Sequence, residues 1–321
     1  MNKTMQLERL ELTLGKGRVQ AEKDILPYFT LRTKVIAEYY FEANSREDWE
    51  NVGKVKAQQA IPLFILGGGS NLAVTQERIN GLVVRNTYIK KEITNETDSY
   101  VDLKVSSGYP MARLAMETAQ EGHSSLEYQM GLPGTVGGAI YMNSKWTHPV
   151  SYCGDSLISA SLLTDGGVIK EVDHDYFQFA YDSSILQKTK EIVIDAVFRL
   201  KKESPESVQK RAQEALAYRK ATQPHGVATS GCFFRNISEE QRQKLNVPTR
   251  SAGYLIDRAG LKNTSVGDFY ISEKHANFII NRGNGKASDL LELVKLIKDR
   301  VKEKFGVELK EEVIIWKMHT K

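Results

Sequence analysis

Gly131-Leu132-Pro133-Gly134-Thr135-Val136-Gly137-Gly138-Ala139 is the stretch whose reading decides the fold. Five of its nine residues are glycine or alanine, and none is acidic. The side chains that would hold a backbone away from a ligand are missing, and Pro133 stiffens one turn. We read the run as a loop offering bare backbone N–H groups, which suits a pyrophosphate. A tight structural turn explains a lone glycine run equally well.

A second small-residue run stands upstream. Ile61-Pro62-Leu63-Phe64-Ile65-Leu66 reads as a buried strand and leads straight into Gly67-Gly68-Gly69-Ser70-Asn71-Leu72. A strand feeding a glycine turn is a general geometry for cradling phosphate. It is not the Rossmann fingerprint, because Leu72 stands where the third glycine would fall, and no Gly-Lys-Ser/Thr follows to make a P-loop. One pyrophosphate held between two side-chain-poor loops would use both. On residue type alone, a dinucleotide cofactor and a pair of structural turns stand level.

Outward from these loops, residues 1–24 are charged and patternless, a loosely held lead-in. Residues 25–43 turn aromatic and β-branched and read as short strands, with Leu31-Arg32-Thr33 in a loop. Residues 45–59 read as a helix with Trp49 and Val52 on one face, and 81–84 as a strand. Val101, Leu103 and Val105 alternate with polar residues, which predicts a half-buried strand. Residues 111–120 have helical spacing. Asp165-Gly166-Gly167 is a hairpin turn, and 192–200 is another strand. Ser204-Pro205 starts a helix that runs to about residue 220, so a domain boundary falls near 203. Beyond it the pattern predicts a helix over 251–260, a strand over 277–281 and a last strand over 313–316. Leu290, Val294, Ile297 and Val301 mark an amphipathic helix between them.

The bulk properties narrow the function. A chain of 321 residues implies two or three domains. Hydrophobic content of 41% and charge of 26% describe a globular protein. The net charge of +4, from 44 basic and 40 acidic residues, suits an anionic small ligand and gives no nucleic-acid footprint. Cys153 and Cys232 make neither a disulfide framework nor a zinc cluster, so no metal is expected and a reducing compartment is. The first residues are too polar for a signal peptide, and no apolar run is long enough for membrane insertion. The reading is cytoplasmic.

Chemistry-bearing residues cluster late in the chain. In Ser230-Gly231-Cys232-Phe233-Phe234-Arg235-Asn236 the thiol is either a proton donor or nucleophile, or a small buried hydrophobe. Arg235 and Asn236 are either donors to an anion or solvated surface. His275, in Lys274-His275-Ala276-Asn277, is more often structural than a ligand. In Lys310-Glu311-Glu312 adjacent carboxylates point to opposite faces of a strand, so at most one faces a given site.

Taken together, these motifs resemble the UDP-N-acetylenolpyruvoylglucosamine reductases, the UDP-N-acetylmuramate dehydrogenases of peptidoglycan synthesis. The likeness runs over nearly the whole chain and is carried by residues 67–72, 131–139 with Asn143, 230–236, 252–262, 274–281 and 305–313, in the pattern of the shorter, type II branch. The resemblance implies an α+β protein: a two-subdomain FAD-binding fold (PCMH-like) over 25–92 and 93–203, after the lead-in of 1–24. A third α/β substrate-binding domain follows over 204–321, with the catalytic segment at its C-terminus. It implies FAD held by Gly67, Gly68, Gly69, Ser70, Asn71 and Leu72, and by Gly131, Pro133, Gly134, Thr135, Gly137, Gly138, Ala139 and Asn143. NADPH is the reductant, the nucleotide-sugar substrate UDP-GlcNAc-enolpyruvate becomes UDP-N-acetylmuramate, and the enzyme is a monomer. Cys232 matches the family's proton-donating serine, and Glu312 its late glutamate. Tyr181, Arg235, Asn236 and His275 fall on the substrate side.

The chain departs from the family pattern at several positions. Its Tyr-Arg pair, in which Arg steadies the enolate carboxylate, corresponds here to Tyr181-Asp182. The phosphate-binding Lys after the long helix corresponds to Thr222. The early Gly-Gly is replaced around Lys34-Val35, and Ser144-Lys145-Trp146 follows Asn143. Arg85, Arg113, Lys145 and Lys188 are left as candidates for the missing cation. A flavoprotein acting on another nucleotide sugar or acid, or a non-catalytic flavin binder, is the alternative reading.

Overall fold

The computed structural model describes residues 3–316. Its internal contacts divide the chain into two compact units, neither continuous in sequence. Unit 1 takes the N-terminal segment to Lys23, Glu38–Gly68 and Asn80–Arg219; unit 2 takes Asp24–Ala37, Gly69–Ile79 and the chain from Lys220. The division falls inside the first glycine loop, between Gly68 and Gly69.

Unit 1 begins with a helix where the sequence suggested a loose lead-in. Helix α1 (Lys3–Leu14) buries Leu10 and Leu14 in a cluster with Tyr39, Phe41 and Trp49. The sequence hides this because two buried leucines in twelve residues make a weak stripe. Helix α2 (Arg46–Gln58) starts at Ser45, whose hydroxyl accepts from the Asp48 N–H, one of the unpaired donors of a first turn. It adds Trp49, Val52 and Val55 to the same core. That core lies against a four-stranded sheet in the order Gln20–Asp24, Ile36–Ala43, Arg78–Asn86, Leu63–Leu66. The several short strands expected over 25–43 are instead one short 3-10 turn, Leu26–Tyr28, and the single long strand Ile36–Ala43.

A larger sheet follows. Ile169–Asp173, Leu157–Leu163, Ile192–Lys202, Tyr100–Ser106 and Lys91–Glu96 lie side by side, with His123–Ser124 pairing onto Ile192–Lys202. Tyr100–Ser106 differs from a half-buried strand, since Asp102 is also buried. Arg199 makes this possible by donating to both Asp102 oxygens, at 2.7 and 2.8 Å. Helices α3 (Met111–Gln120) and α4 (Val136–Met142) bring Met111, Leu114, Val136 and Ile140 to this sheet's core. The short helix α5 (Leu186–Thr189) and the long α6 (Pro205–Thr222) complete the helices of this part of the chain.

Unit 2 is built on an antiparallel sheet in the order Ala228–Cys232, Phe278–Asn281, Phe269–Ile271, Ser265–Val266. Helices α7 (Glu239–Leu245), α8 (Ala252–Arg258) and α9 (Ala287–Phe305) accompany it. The spacing of Leu290, Val294, Ile297 and Val301 places all four in the core with Phe269 and Ile279. Leu72–Val74 pairs in parallel with Ile314–Trp316, Leu72 opposite Ile314. Among the described residues no helix is long and apolar enough to cross a membrane.

Candidate active site

In unit 1 the strand Leu63–Leu66 delivers Gly67 and Gly68 against the second glycine loop. A Cβ on Gly67 would lie 2.7 Å from Thr135 Oγ1, and one on Gly68 2.5 Å from Gly134 Cα. The two loops therefore meet backbone to backbone, which only glycine allows. The second loop is held from behind by the turn after Tyr100–Ser106. Gly137 N–H donates to Ser107 O at 2.8 Å, Val136 N–H to Tyr109 O at 2.9 Å, and Met111 N–H to Gly134 O at 3.1 Å.

This arrangement corrects the reading of 131–139 as one loop of bare amides. From Val136 onward the run is helix α4, capped by Thr135, and its first amides have partners. The amides of Gly67, Gly68, Gly134 and Thr135 donate to no backbone carbonyl among the described residues. Clustered N–H groups of this kind can meet phosphate oxygens. Gly138 adds a second sign. It is exposed, and a Cβ there would meet only Thr135 Oγ1, at 3.7 Å. Glycine in a helix is less favourable than alanine by about 1 kcal/mol, and no packing among the described residues requires it at this position. An open, side-chain-free face of this kind leaves room for a ligand, so the residues present fit a dinucleotide.

The other positions on this side have structural partners. Gly131 has φ +79°, and a Cβ on it would lie 2.6 Å from Leu216 Cδ1 of α6; Pro133 is exposed and Ala139 buried. Asn143 ends α4 in a left-handed conformation, φ 46°. Its amide donates to Ala180 O and accepts from Gly154 N–H, both at 3.1 Å. Tyr181 and Asp182 are the middle of a tight turn closed by Ala180 and Ser183 at 3.0 and 3.2 Å. Tyr181 is 36% exposed, whereas Asp182 is buried.

In unit 2 the loop continues with Gly69, whose φ is +62° and whose Cβ would lie 2.1 Å from Tyr28 O. Ser70 follows. Asn71 O accepts from Ile314 N–H at 2.9 Å, and Asn71 Nδ2 donates to Glu312 O at 3.5 Å. Leu72 opens the parallel pair. Cys232 ends a strand that bulges, its register shifting between Thr229 and Cys232 with Gly231 at φ +82°. A bulge of this kind re-aims the next side chain. Phe233 and Phe234 are then buried, and Asn277 grips Phe234 twice: it accepts from Phe234 N–H at 2.9 Å and donates to Phe234 O at 2.8 Å.

The late carboxylate comes to this segment through the backbone. Glu312 N–H donates to Phe233 O at 2.9 Å, and Arg235 N–H to Lys310 O at 2.8 Å. Glu312 thus runs beside the Phe233–Phe234 peptide, next in the chain to Cys232. Glu311 is paired with Lys298 at 3.1 Å. Asn236 Oδ1 accepts from Ala252 N–H at 3.1 Å, at the start of α8. His275 Nδ1 accepts from Asn277 N–H at 3.3 Å, and its ring meets Phe278 edge-on at 4.9 Å. Burial lowers its pKa, so the ring is neutral near pH 7 with its proton on Nε2. The two thiols differ. Cys232 is half-buried, while Cys153 is buried and its thiol is pushed up to about 12 by burial.

Of the residues expected from sequence, unit 1 holds Gly67, Gly68, Gly131, Pro133, Gly134, Thr135, Gly137, Gly138, Ala139, Asn143 and Tyr181. Unit 2 holds Gly69, Ser70, Asn71, Leu72, Cys232, Arg235, Asn236, His275 and Glu312. Two supports were not foreseen: the strap at Ser107 and Tyr109, and the Asn277 clamp. Asn277 lies in a polar run quoted from the sequence, but burial of its amide is a tertiary fact.

Comparison with known proteins identifies the family. Residues 37–173 match the FAD binding domain family, and residues 223–316 match the family described as UDP-N-acetylenolpyruvoylglucosamine reductase, C-terminal domain. A UDP-N-acetylenolpyruvoylglucosamine reductase of Chlamydia felis is 35% identical over 288 residues, covering 90% of this chain and 91% of its own. The chain belongs to the UDP-N-acetylenolpyruvoylglucosamine reductase family. A Bacillus pumilus reductase is 36% identical over 252 residues, 78% of each chain. The crystal structure of the Thermus caldophilus reductase superposes with a TM-score of 0.76 at 30% identity, covering 94% of this chain and 99% of that one. Both glycine loops of this reductase-family chain fall in the FAD-binding match, and Cys232 and Glu312 fall in the C-terminal match.

Proposed function

We propose that this chain catalyses the NADPH-dependent reduction of UDP-GlcNAc-enolpyruvate to UDP-N-acetylmuramate, with FAD held by the amides of its two glycine loops. FAD, when bound, supplies the hydride that NADPH has given up. Gly67, Gly68, Gly134 and Thr135 hold the diphosphate, and Gly138 leaves room for it. Residues 25–92 and 93–203 are taken as the two flavin-binding subdomains. Hydride reaches the terminal carbon of the enolpyruvyl double bond, and the neighbouring carbon needs a proton. Cys232 Sγ–H supplies it, and the thiolate left behind regains a proton from water. Between these events charge accumulates on the substrate carboxylate and must be stabilised. Glu312 is assigned the second acid of the pair, and Arg235, Asn236, His275 and Tyr181 contact the substrate. The protein acts as a monomer in the cytoplasm.

The observation that carries this reading is the backbone pairing of Glu312 with Phe233, at 2.9 Å. It ties the Glu312 backbone to the residue that follows Cys232, the half-buried thiol, which supports assigning the two to one reaction. The test is NADPH oxidation by the FAD-loaded protein with the enolpyruvyl substrate, with the product identified by mass. Turnover to a product heavier by two hydrogens is expected, and no oxidation above the substrate-free rate overturns the reading.

A further inference from the structure

The proposed reaction builds negative charge on the substrate carboxylate as hydride arrives, and a cation facing that carboxylate would stabilise it. Asp182, beside Tyr181, has the wrong sign. Among the other cations weighed from sequence, Arg85 is paired with Glu42 at 3.0 Å and Arg113 with Glu117 at 2.7 Å. Lys188 is exposed on the surface of the short helix α5. Lys145 differs from all three. Its Nζ lies 4.9 Å from the Tyr181 ring centroid and 5.6 Å from that of Tyr152. No carboxylate pairs with it among the described residues. Aromatic faces hold an ammonium in place without neutralising it, which leaves its charge available to a ligand.

The frame around Lys145 is tied to the second glycine loop inside unit 1. Helix α4 begins at Thr135 and ends at Asn143, whose amide fixes Ala180 and Gly154 together. Lys145 comes two residues later in a hairpin, directly opposite Tyr152. The hairpin is anchored by Trp146, whose Nε1–H donates to His148 O at 2.7 Å and whose ring packs against Tyr218. Lysine, Tyr152 and Tyr181 thus come from three segments held in one register. We propose that Lys145 binds the substrate carboxylate and steadies the charge it acquires during reduction. This rests on the reductase reading above.

The test compares two ligands of the FAD-loaded protein that differ at the group in question. UDP-N-acetylmuramate carries a carboxylate, and UDP-N-acetylglucosamine does not. Each is titrated calorimetrically into wild type, Lys145→Met and Lys145→Arg, with FAD content and thermal midpoint as controls of folding. Lys145→Met is expected to weaken UDP-N-acetylmuramate about ten- to a hundredfold, the size of one charge-assisted hydrogen bond. Lys145→Arg restores part of the loss, and UDP-N-acetylglucosamine binds all three alike. Equal weakening of both ligands, or of neither, overturns the proposal. A wild type that binds neither ligand and does not turn over the enolpyruvyl substrate defeats the reductase reading, and the role of Lys145 falls with it.

Discussion

Gly68 stands against Gly134 so closely that a Cβ on it would lie 2.5 Å from the Gly134 Cα. No backbone carbon tolerates that distance, so Gly68→Ala must push the two loops apart. Overpacking of this kind destabilises by about 1–3 kcal/mol. The expected result is a lower thermal midpoint and a protein that purifies with less FAD. A variant with unchanged midpoint and full FAD content would show that the loops do not depend on this contact.

Gly138→Ala separates packing from ligand binding. The helix gains about 0.5–1 kcal/mol from the loss of glycine's backbone freedom, and the only neighbour is Thr135 Oγ1 at 3.7 Å. The apoprotein should become more stable. FAD should bind at least about tenfold more weakly, because the methyl group occupies the face left open for it. Chemical denaturation of the apoprotein and FAD titration measure the two effects, and a variant that binds FAD as tightly as wild type removes Gly138 from the cofactor site.

The two cysteines should behave in opposite ways. Cys153 is buried, with its thiol pushed up to about 12, and Cys232 is half-buried at a bulge. A thiol reagent should therefore modify the native protein once, at Cys232. Removing a positioned acid costs about 10²–10⁴ in rate. Cys232→Ala should lose that much in re-oxidation of the reduced protein by the enolpyruvyl substrate. Cys232→Ser should keep most of it, because the hydroxyl also carries a proton. Rapid mixing of reduced protein with substrate measures the step, and an alanine variant at wild-type rate excludes the thiol.

Much of this was legible in the chain. Helix α3 follows the spacing of Met111, Leu114 and Ala115, and α9 that of Leu290 to Val301, since burial of a stripe is what those periods encode. Both glycine loops could be located because glycine is informative one residue at a time, although residue type alone fits a structural turn equally well. The end of the second loop was not legible. A run with glycines at 137 and 138 argues against a helix on propensity, yet α4 forms there because Val136, Ala139 and Ile140 pack into the core. Tertiary burial overrode a local preference. The pairing of Glu312 with Phe233 joins residues far apart in the sequence, and no local signal reports it. The same holds for Lys145, which from sequence was one of four possible cations. Only the fold, which pairs Arg85 with Glu42 and Arg113 with Glu117 and sets Lys145 against Tyr152 and Tyr181, distinguishes them.

The strap behind the second loop supplies a pH test. Tyr109, whose carbonyl holds Val136 N–H, donates its hydroxyl to Glu117 at 2.6 Å, and Lys91 and Arg113 reach the same carboxylate at 2.8 and 2.7 Å. Burial alone would raise the Glu117 pKa, but these three partners outweigh it and bring it from 4.5 down to about 2. A carboxylate with a depressed folded pKa adds stability above its unfolded value, and that contribution disappears as pH falls through the folded one. Glu117→Gln should therefore be less stable than wild type at neutral pH. The gap should narrow as pH falls from 4.5 toward about 2. Urea midpoints of both proteins at pH 7 and at steps below 4.5 measure it, and a gap independent of pH would mean that the ionised form of Glu117 contributes nothing. The variant should also hold FAD less tightly at pH 7, because a loosened Tyr109 relaxes the loop that ends at Thr135.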